Sequence, residues 1–246
     1  MGAHRQDLRR EARPVSELRV LSAGAAKGVA EAIAADFERE TGARMQAQFG
    51  AVGAMREKLL AGEPCDVFVS TAAILDALAA DGRVDAATIA PLGRVYTGVA
   101  VRCADPIPPI ATPGELAHAL HAAPAIFFPD PQKATAGIHF MKVLDALGVH
   151  HEVGGRLKPY PNGATAMAEL ARSPLAGAIG CTQVTEILYT PGVALAGRLP
   201  REFELATVYA AAVCAGSRTR ADARAWVERL TGERTKALRR AGGFEA

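Results

Sequence analysis

Short apolar runs alternate with helical stripes along most of the chain. Glu17-Leu-Arg-Val-Leu-Ser22 reads as a strand that ends in Ala23-Gly24-Ala25-Ala26. Val29, Ile33 and Phe37 then recur at i, i+4 and i+8, one face of a helix that Gly42 closes. Ala43–Phe49 predicts a second strand, Gly50–Gly53 a turn, and Met55–Ala61 a helix with Leu59 and Leu60 inward. Gly62-Glu-Pro64 breaks that helix; Asp66–Ser70 reads as a buried strand and Ala72–Ala80 as the next helix. The logic repeats later: strand Ala125–Phe128, turn Pro129-Asp-Pro131, and helix Thr135–Leu147 with Ile138, Met141, Leu144 and Leu147 at helical spacing. Helix Ala164–Ala171, strand Ala176–Cys181, helix Thr182–Leu188 and a last helix, Ala221–Arg240, follow.

Strands and helices alternating at this spacing predict an α/β protein built from βαβ units with parallel sheets. Two long apolar segments, Val95–Cys103 and Phe203–Ala215, fit a chain that leaves one lobe, builds a second and returns. The expected division is a tail over 1–16, a first lobe of 17–97 plus 207–246, and a second lobe of 98–206. In open α/β sheets, ligands bind outside the carboxyl ends of the strands. Those ends are Ser22–Lys27, Phe49–Gly53, Pro129–Thr135 and Gly180–Gln183.

Composition narrows the function. With half of 246 residues hydrophobic, the chain has enough apolar material for a core, and disorder is excluded. A net charge of +2 lacks the concentrated basic surplus that nucleic acid demands, so no nucleic-acid partner is expected. No run approaches the ~18 apolar residues of a membrane span, so no membrane insertion is expected and the protein reads as soluble and globular. Cys65, Cys103, Cys181 and Cys214 are scattered and form no metal motif with the histidines, although His118 and His121 share a helix face. The chain lacks a Walker loop, a dinucleotide fingerprint, G-x-S-x-G and H-E-x-x-H, so neither cofactor nor metal is expected. The first fourteen residues are basic and have no apolar segment, unlike a secretory signal. A cytoplasmic protein is the expectation, or a periplasmic one if a signal was removed or the true start lies upstream.

Val20-Leu-Ser-Ala-Gly-Ala-Ala-Lys-Gly28, Phe49-Gly-Ala-Val-Gly53, Ala61-Gly-Glu-Pro-Cys-Asp-Val-Phe-Val-Ser70, Pro129-Asp-Pro131 and Ala136-Gly-Ile138 carry a resemblance. Together they resemble type II solute-binding proteins, in particular the molybdate-binding components of ABC importers, over about Leu18 to Phe244. The Ala61–Ser70 segment is the most specific, being similar to the family's A-G-x-P-A-D-[VL]-F-x-S. The resemblance implies a periplasmic-binding-protein fold: two Rossmann-like lobes, two hinge strands and a cleft that closes on a small anion. It also implies an ABC permease as partner if the protein is exported. The residues specify no oligomeric state.

That family holds its oxyanion with serine hydroxyls and backbone N–H groups at the first two strand ends, and commonly a tyrosine from the second lobe. The resemblance puts Ala25, Ala51 or Val52, and Cys181 at those positions. Each missing hydroxyl removes a hydrogen bond worth roughly 0.5–1.5 kcal/mol, more against a charge, so molybdate is not the expected ligand. What remains suits a carboxylate or polycarboxylate of a few carbons. Backbone N–H groups over Gly24–Lys27 open a helix, which attracts negative charge. Lys27, Arg56 and Lys133 lie near three cleft-facing ends as candidate clamps, and Thr135 and Thr182 offer hydroxyls from the second lobe. Thr135 also suits a helix N-cap.

Two functions fit. The first is a binding protein that closes on a small organic anion. The second is an isomerase of an unsaturated tricarboxylate, because aconitate isomerases resemble this group. Such a reaction needs a base and a dry cleft; Lys27, His139 or Cys181 are the candidate proton carriers, with no acid–base constellation evident.

Overall fold

Parallel strands buried on both faces need helices above and below them, and this chain supplies both twice. The computed structural model describes residues 16–246, so the expected N-terminal tail falls outside the described residues except for Ser16, which begins the first strand. The first lobe runs β1 (Ser16–Ala23), a 3-10 turn over Gly24–Ala26, α1 (Lys27–Thr41), β2 (Ala43–Gly50), α2 (Val52–Leu60), β3 (Val67–Thr71) and α3 (Ala72–Ala80). The long strand β4 (Ala90–Arg102) leads out of it. The second lobe contains α4 (Pro113–Ala122), β5 (Ile126–Pro129), α5 (Thr135–Ala146), α6 (His150–Val153), β6 (Leu157–Tyr160), α7 (Gly163–Arg172), β7 (Ile179–Gln183), α8 (Val184–Tyr189) and β8 (Val193–Arg198). The chain returns through β9 (Ala206–Val213) and ends in α9 (Arg220–Thr231) and α10 (Lys236–Ala241).

The strand order is β2-β1-β3-β9-β4-β7-β5-β6, with β8 also paired to β4. β1 lies parallel to β2 and β3, Val20 sitting between Ala47 and Val67. β4 changes partner midway. Ala90–Tyr96 pair antiparallel with β9, whereas Thr97–Val101 pair with β7. The architecture is therefore α/β with two Rossmann-like lobes, β4 and β9 being the hinge strands that join them.

Four apolar clusters cover the two faces of each half-sheet. In the first lobe, Leu18, Val20, Phe37 and Trp226 pack on one face, with the Phe37 and Trp226 rings edge to face at 4.8 Å. Leu21, Met55, Phe68 and Leu75 fill the other face. In the second lobe, Val99, Phe128, Phe140 and Cys181 oppose Ala100, Phe127, Met167 and Leu170 across the sheet.

Several local expectations shift. The helix expected at Met55 starts at Val52, so Val52, Met55 and Leu59 form its inward face and Leu60 is left exposed. In α5 the buried stripe is Ala136, Gly137, Phe140, Val143 and Leu144, while Ile138 faces out. The single last helix is interrupted at Gly232, whose backbone is extended, giving α9 and α10. Thr182 and Gln183 belong to β7 rather than to the following helix, and Thr135 is the first residue of α5, with Ala134 at its N-cap.

Candidate functional site

All four expected strand ends meet at one small cavity between the lobes. Ala23, Gly24, Ala25, Gly50, Ala51 and Val52 line it from the first lobe. Pro129, Ala134, Thr135, Ala136, Gly163, Gln183 and Glu186 line it from the second, and Tyr209 of hinge strand β9 completes the wall. Its volume is about 20 Å³, the size of a single water. The lobes are closed over it. Gly53 N–H donates to the Lys133 carbonyl at 2.9 Å, Lys133 Nζ pairs with Glu57 at 2.7 Å, and the Tyr189 hydroxyl donates to the Gly24 carbonyl at 3.3 Å.

The cavity wall is made largely of helix beginnings. The 3-10 turn leading into α1, and α2, α5 and α7, all start there. A helix start leaves N–H groups without intrahelical partners, and an N-cap Ser, Thr, Asp or Asn ordinarily covers one of them. Here the caps are Ala23 for the 3-10 turn, Ala51 for α2 and Ala134 for α5, none with a side chain able to do so. Only α7 is capped, by Asn162 accepting from Thr165 N–H. The alanines thus supply no side-chain acceptor to these first turns, although the Lys133 carbonyl takes the Gly53 N–H of α2, and the positive dipole ends border one cavity.

A carboxylate from the chain itself sits at that cavity. Glu186 is buried, and the Thr182 hydroxyl donates to its Oε2 at 2.5 Å. A methyl group built on Gly24 would overlap Oε1, and one on Gly163 would overlap Oε2, so the carboxylate rests against the backbone of both lobes. Burial pushes its pKa up to about 7, against the opposing pull of Thr182 and of the peptide N–H groups of Gln183 and Ala164. Desolvation of the charged form outweighs the hydrogen bonds that favour it.

Two neighbours complete the polar set. Gln183 is buried, and among the described residues neither Oε1 nor Nε2 has a hydrogen-bond partner of ordinary geometry, the Tyr209 phenol being the polar group beside it. The Tyr209 phenol lies beside Thr135 and Gln183; burial and the Glu186 charge hold its pKa far above the ordinary value. It is a neutral donor at any physiological pH.

Of the residues singled out from the sequence, Gly24, Ala25, Ala51, Val52 and Thr135 line the cavity, and Thr182 stands just behind as the partner of Glu186. The cations do not enter it. Lys27 runs outward between the rings of Phe49 and Tyr189, 5.6 and 5.8 Å from their centroids, to pair with Glu31 at 2.5 Å. Arg56 is exposed on the second turn of α2, and Lys133 lies at the rim. Among the described residues, no lysine or arginine lines the cavity. Cys181 alternates with Thr182 along β7, so its thiol faces the second lobe's core, where burial raises its pKa out of any catalytic range. His139 bonds the Phe203 carbonyl at 2.7 Å and lies off the cavity. Among the described residues no acidic, histidine or cysteine cluster could hold a metal, and no helix is long and apolar enough to cross a membrane.

Sequence reasoning missed Glu186, Gln183, Tyr209 and Gly163. One signal was present: Glu186 is the sole acidic residue between Glu169 and Glu202, in an otherwise apolar stretch immediately after a strand. Nothing local marked Tyr209, whose role depends on where the hinge strand passes.

Comparison with known proteins bears on the fold and the family. The chain is 27% identical over 228 residues to an aconitate isomerase from a Pseudomonas species, covering 89% of this chain and 84% of that one. Its fold matches the periplasmic molybdate-binding protein of Azotobacter vinelandii with a TM-score of 0.76 at 19% identity, covering 93% of this chain and 99% of that one. It also matches the sulfate-binding protein of Mycobacterium tuberculosis H37Rv, with a TM-score of 0.67 at 16% identity over 93% and 86% of the two chains. The family model for bacterial extracellular solute-binding proteins matches residues 18–245, and the chain belongs to that family.

Proposed function

We propose that this protein closes on a small unsaturated polycarboxylate and moves a proton within it, as an isomerase of the aconitate type. The observation that carries this reading is Glu186, a buried carboxylate at the meeting point of the lobes with a pKa of about 7. General acid–base catalysis works best when the group titrates near the operating pH. The 27% identity to an aconitate isomerase supports the same chemistry.

The division of labour follows from which lobe holds each group. Thr182, Gln183 and Ala164, which surround the Glu186 carboxylate, all belong to the second lobe, so Glu186 stays with that lobe when the cleft opens. Substrate enters against the uncapped helix starts at Gly24–Ala25 and Ala51–Val52, whose N–H groups take its carboxylates. The free amide of Gln183 pairs with a further carboxylate oxygen. Ionised Glu186 removes a proton from the methylene carbon, and the C–H electron pair spreads through the adjacent double bond onto a carboxylate. Glu186 returns the same proton to the former vinylic carbon, which leaves the double bond shifted and the redox state unchanged. Tyr209 donates to the intermediate's oxygens. Closure excludes water, which strengthens each of these interactions.

The test is proton NMR of cis- and trans-aconitate incubated with the protein in D2O. Interconversion of the two isomers, with the original proton largely retained at the former vinylic carbon and the rate lowered by about 10²-fold or more in Glu186→Gln, is the expected result. The family itself favours a second reading, in which the protein binds a small carboxylate without changing it and delivers it to an ABC permease. Tight binding without interconversion would select that reading.

A further inference from the structure

The cavity holds its own anion. Glu186 takes the Thr182 hydroxyl, and its two oxygens rest against Gly24 in one lobe and Gly163, at the start of α7, in the other. An inorganic oxyanion enclosed by this cleft needs donors from both lobes, since it has no carbon skeleton to span apolar wall. Here the second lobe's Thr182 hydroxyl and the peptide N–H groups of Gln183 and Ala164 are already committed to a carboxylate.

We propose that Glu186 is the residue that sets anion selectivity, excluding fully ionised tetrahedral oxyanions while admitting carboxylates that dock on the first lobe and present carbon to it. This rests on the reading of the cleft as a carboxylate site, though not on turnover. A sulfate or molybdate dianion brought into the closed cavity would meet a second negative group at contact distance, without water to screen it. Among the described residues no cationic side chain lines the cavity to offset the repulsion; Lys27 and Lys133 are paired with Glu31 and Glu57 outside it. A substrate carboxylate avoids the clash by standing on the uncapped starts at Gly24–Ala25 and Ala51–Val52, with a methylene facing Glu186.

Calorimetric titration with sodium sulfate tests this directly. At pH 8 the wild-type chain shows no sulfate binding, and Glu186→Gln, which keeps the side chain's shape and removes its charge, gains at least about tenfold in affinity, or 1.4 kcal/mol. The unmodified protein repeats the test without a substitution. Sulfate remains a dianion at pH 5.5, where Glu186 is protonated, so wild-type affinity rises between pH 8 and 5.5 while that of Glu186→Gln does not. Among the described residues the other titratable groups facing Glu186 are Tyr189 and Tyr209, both kept neutral by burial across this range; Tyr189 in turn faces the paired Lys27 and Glu31. Among the described residues no histidine lines the cavity. Equal sulfate affinity in the two proteins at pH 8, or a wild-type affinity that does not change with pH, overturns the proposal. The outcomes separate it from the isomerase reading. Gained sulfate binding with inert aconitate leaves selectivity standing and removes turnover; active isomerisation with unchanged sulfate affinity does the reverse.

Discussion

The peptide N–H of Gly53, in the first turn of α2, donates to the carbonyl oxygen of Lys133, 2.9 Å away in the turn before α5. One main-chain hydrogen bond thus joins the two lobes at the mouth of the cleft. Glycine suits the approach, because a Cβ there would stand 3.0 Å from that oxygen and 3.2 Å from Lys133 Cα, tight enough that one backbone must give way. Backbone cannot swing aside as a flexible side chain does. Gly53→Ala should therefore favour the open form, raising the radius of gyration in small-angle scattering and weakening carboxylate binding, while both lobe cores stay folded. An unchanged scattering profile would show that the hydrogen bond is incidental to closure.

Glu186 ties stability to pH with a definite sign. Its carboxyl titrates near 4.5 in the unfolded chain and at about 7 in the folded one, so the native state retains a proton that the unfolded state releases between these values. The stabilisation is complete below pH 4.5 and is lost as pH rises through 7, a change of about 3 kcal/mol. For a chain of this length, that lowers the melting temperature by roughly 5–10 °C between pH 5 and pH 8. Thermal denaturation of Glu186→Gln should show a much flatter profile, and identical wild-type melting at the two pH values would contradict the burial argument.

Gln183 places an unsatisfied amide in a closed cavity. Burying such a group without partners costs about 1–3 kcal/mol, which a ligand can recover by supplying them. Gln183→Met should raise the stability of the ligand-free protein by about 1 kcal/mol and weaken carboxylate affinity by about tenfold. Calorimetry together with denaturant titration reads both. A variant that is less stable yet binds equally well would mean the amide has a structural partner instead.

Tyr209 tests the reaction rather than the binding. Phe244 holds its ring edge-on, at 6.5 Å and 88°, and the phenol faces the cavity as a neutral donor. A donor aimed at developing charge contributes mainly in the transition state, so Tyr209→Phe should lower kcat by about 10²-fold and leave KM nearly unchanged. A change confined to KM would make Tyr209 a binding group only.

Local patterning was a good guide wherever a segment's fate depended on its own sequence. The strand at Asp66–Ser70, the stripe Val29, Ile33 and Phe37, and the stop at Gly42, where φ is +73°, are short-range consequences of alternation, helical period and glycine's freedom at positive φ. It was a poor guide where register or side-chain direction mattered. Leu60 looked inward because it is apolar and follows Leu59, but it lies about 100° round the helix from Leu59, off the face that Val52, Met55 and Leu59 share. Cys181 and Thr182 are neighbours in sequence, yet strand alternation sends one to the core and the other to the Glu186 carboxylate.

The sequence by itself determined the α/β class, the two lobes and the four strand ends where a ligand could meet them, because those follow from hydrophobic period and connection length. Tertiary structure alone decided the chemistry there. Lys27, Arg56 and Lys133 were the natural candidates for an anion site, but long charged side chains reach for solvent and surface partners, and they left the cavity to alanine caps and peptide N–H groups. Glu186 went the other way. Only the joining of both lobes around the starts of α1 and α7 creates the enclosed, donor-rich space in which a carboxylate can be buried and kept close to neutrality in pKa.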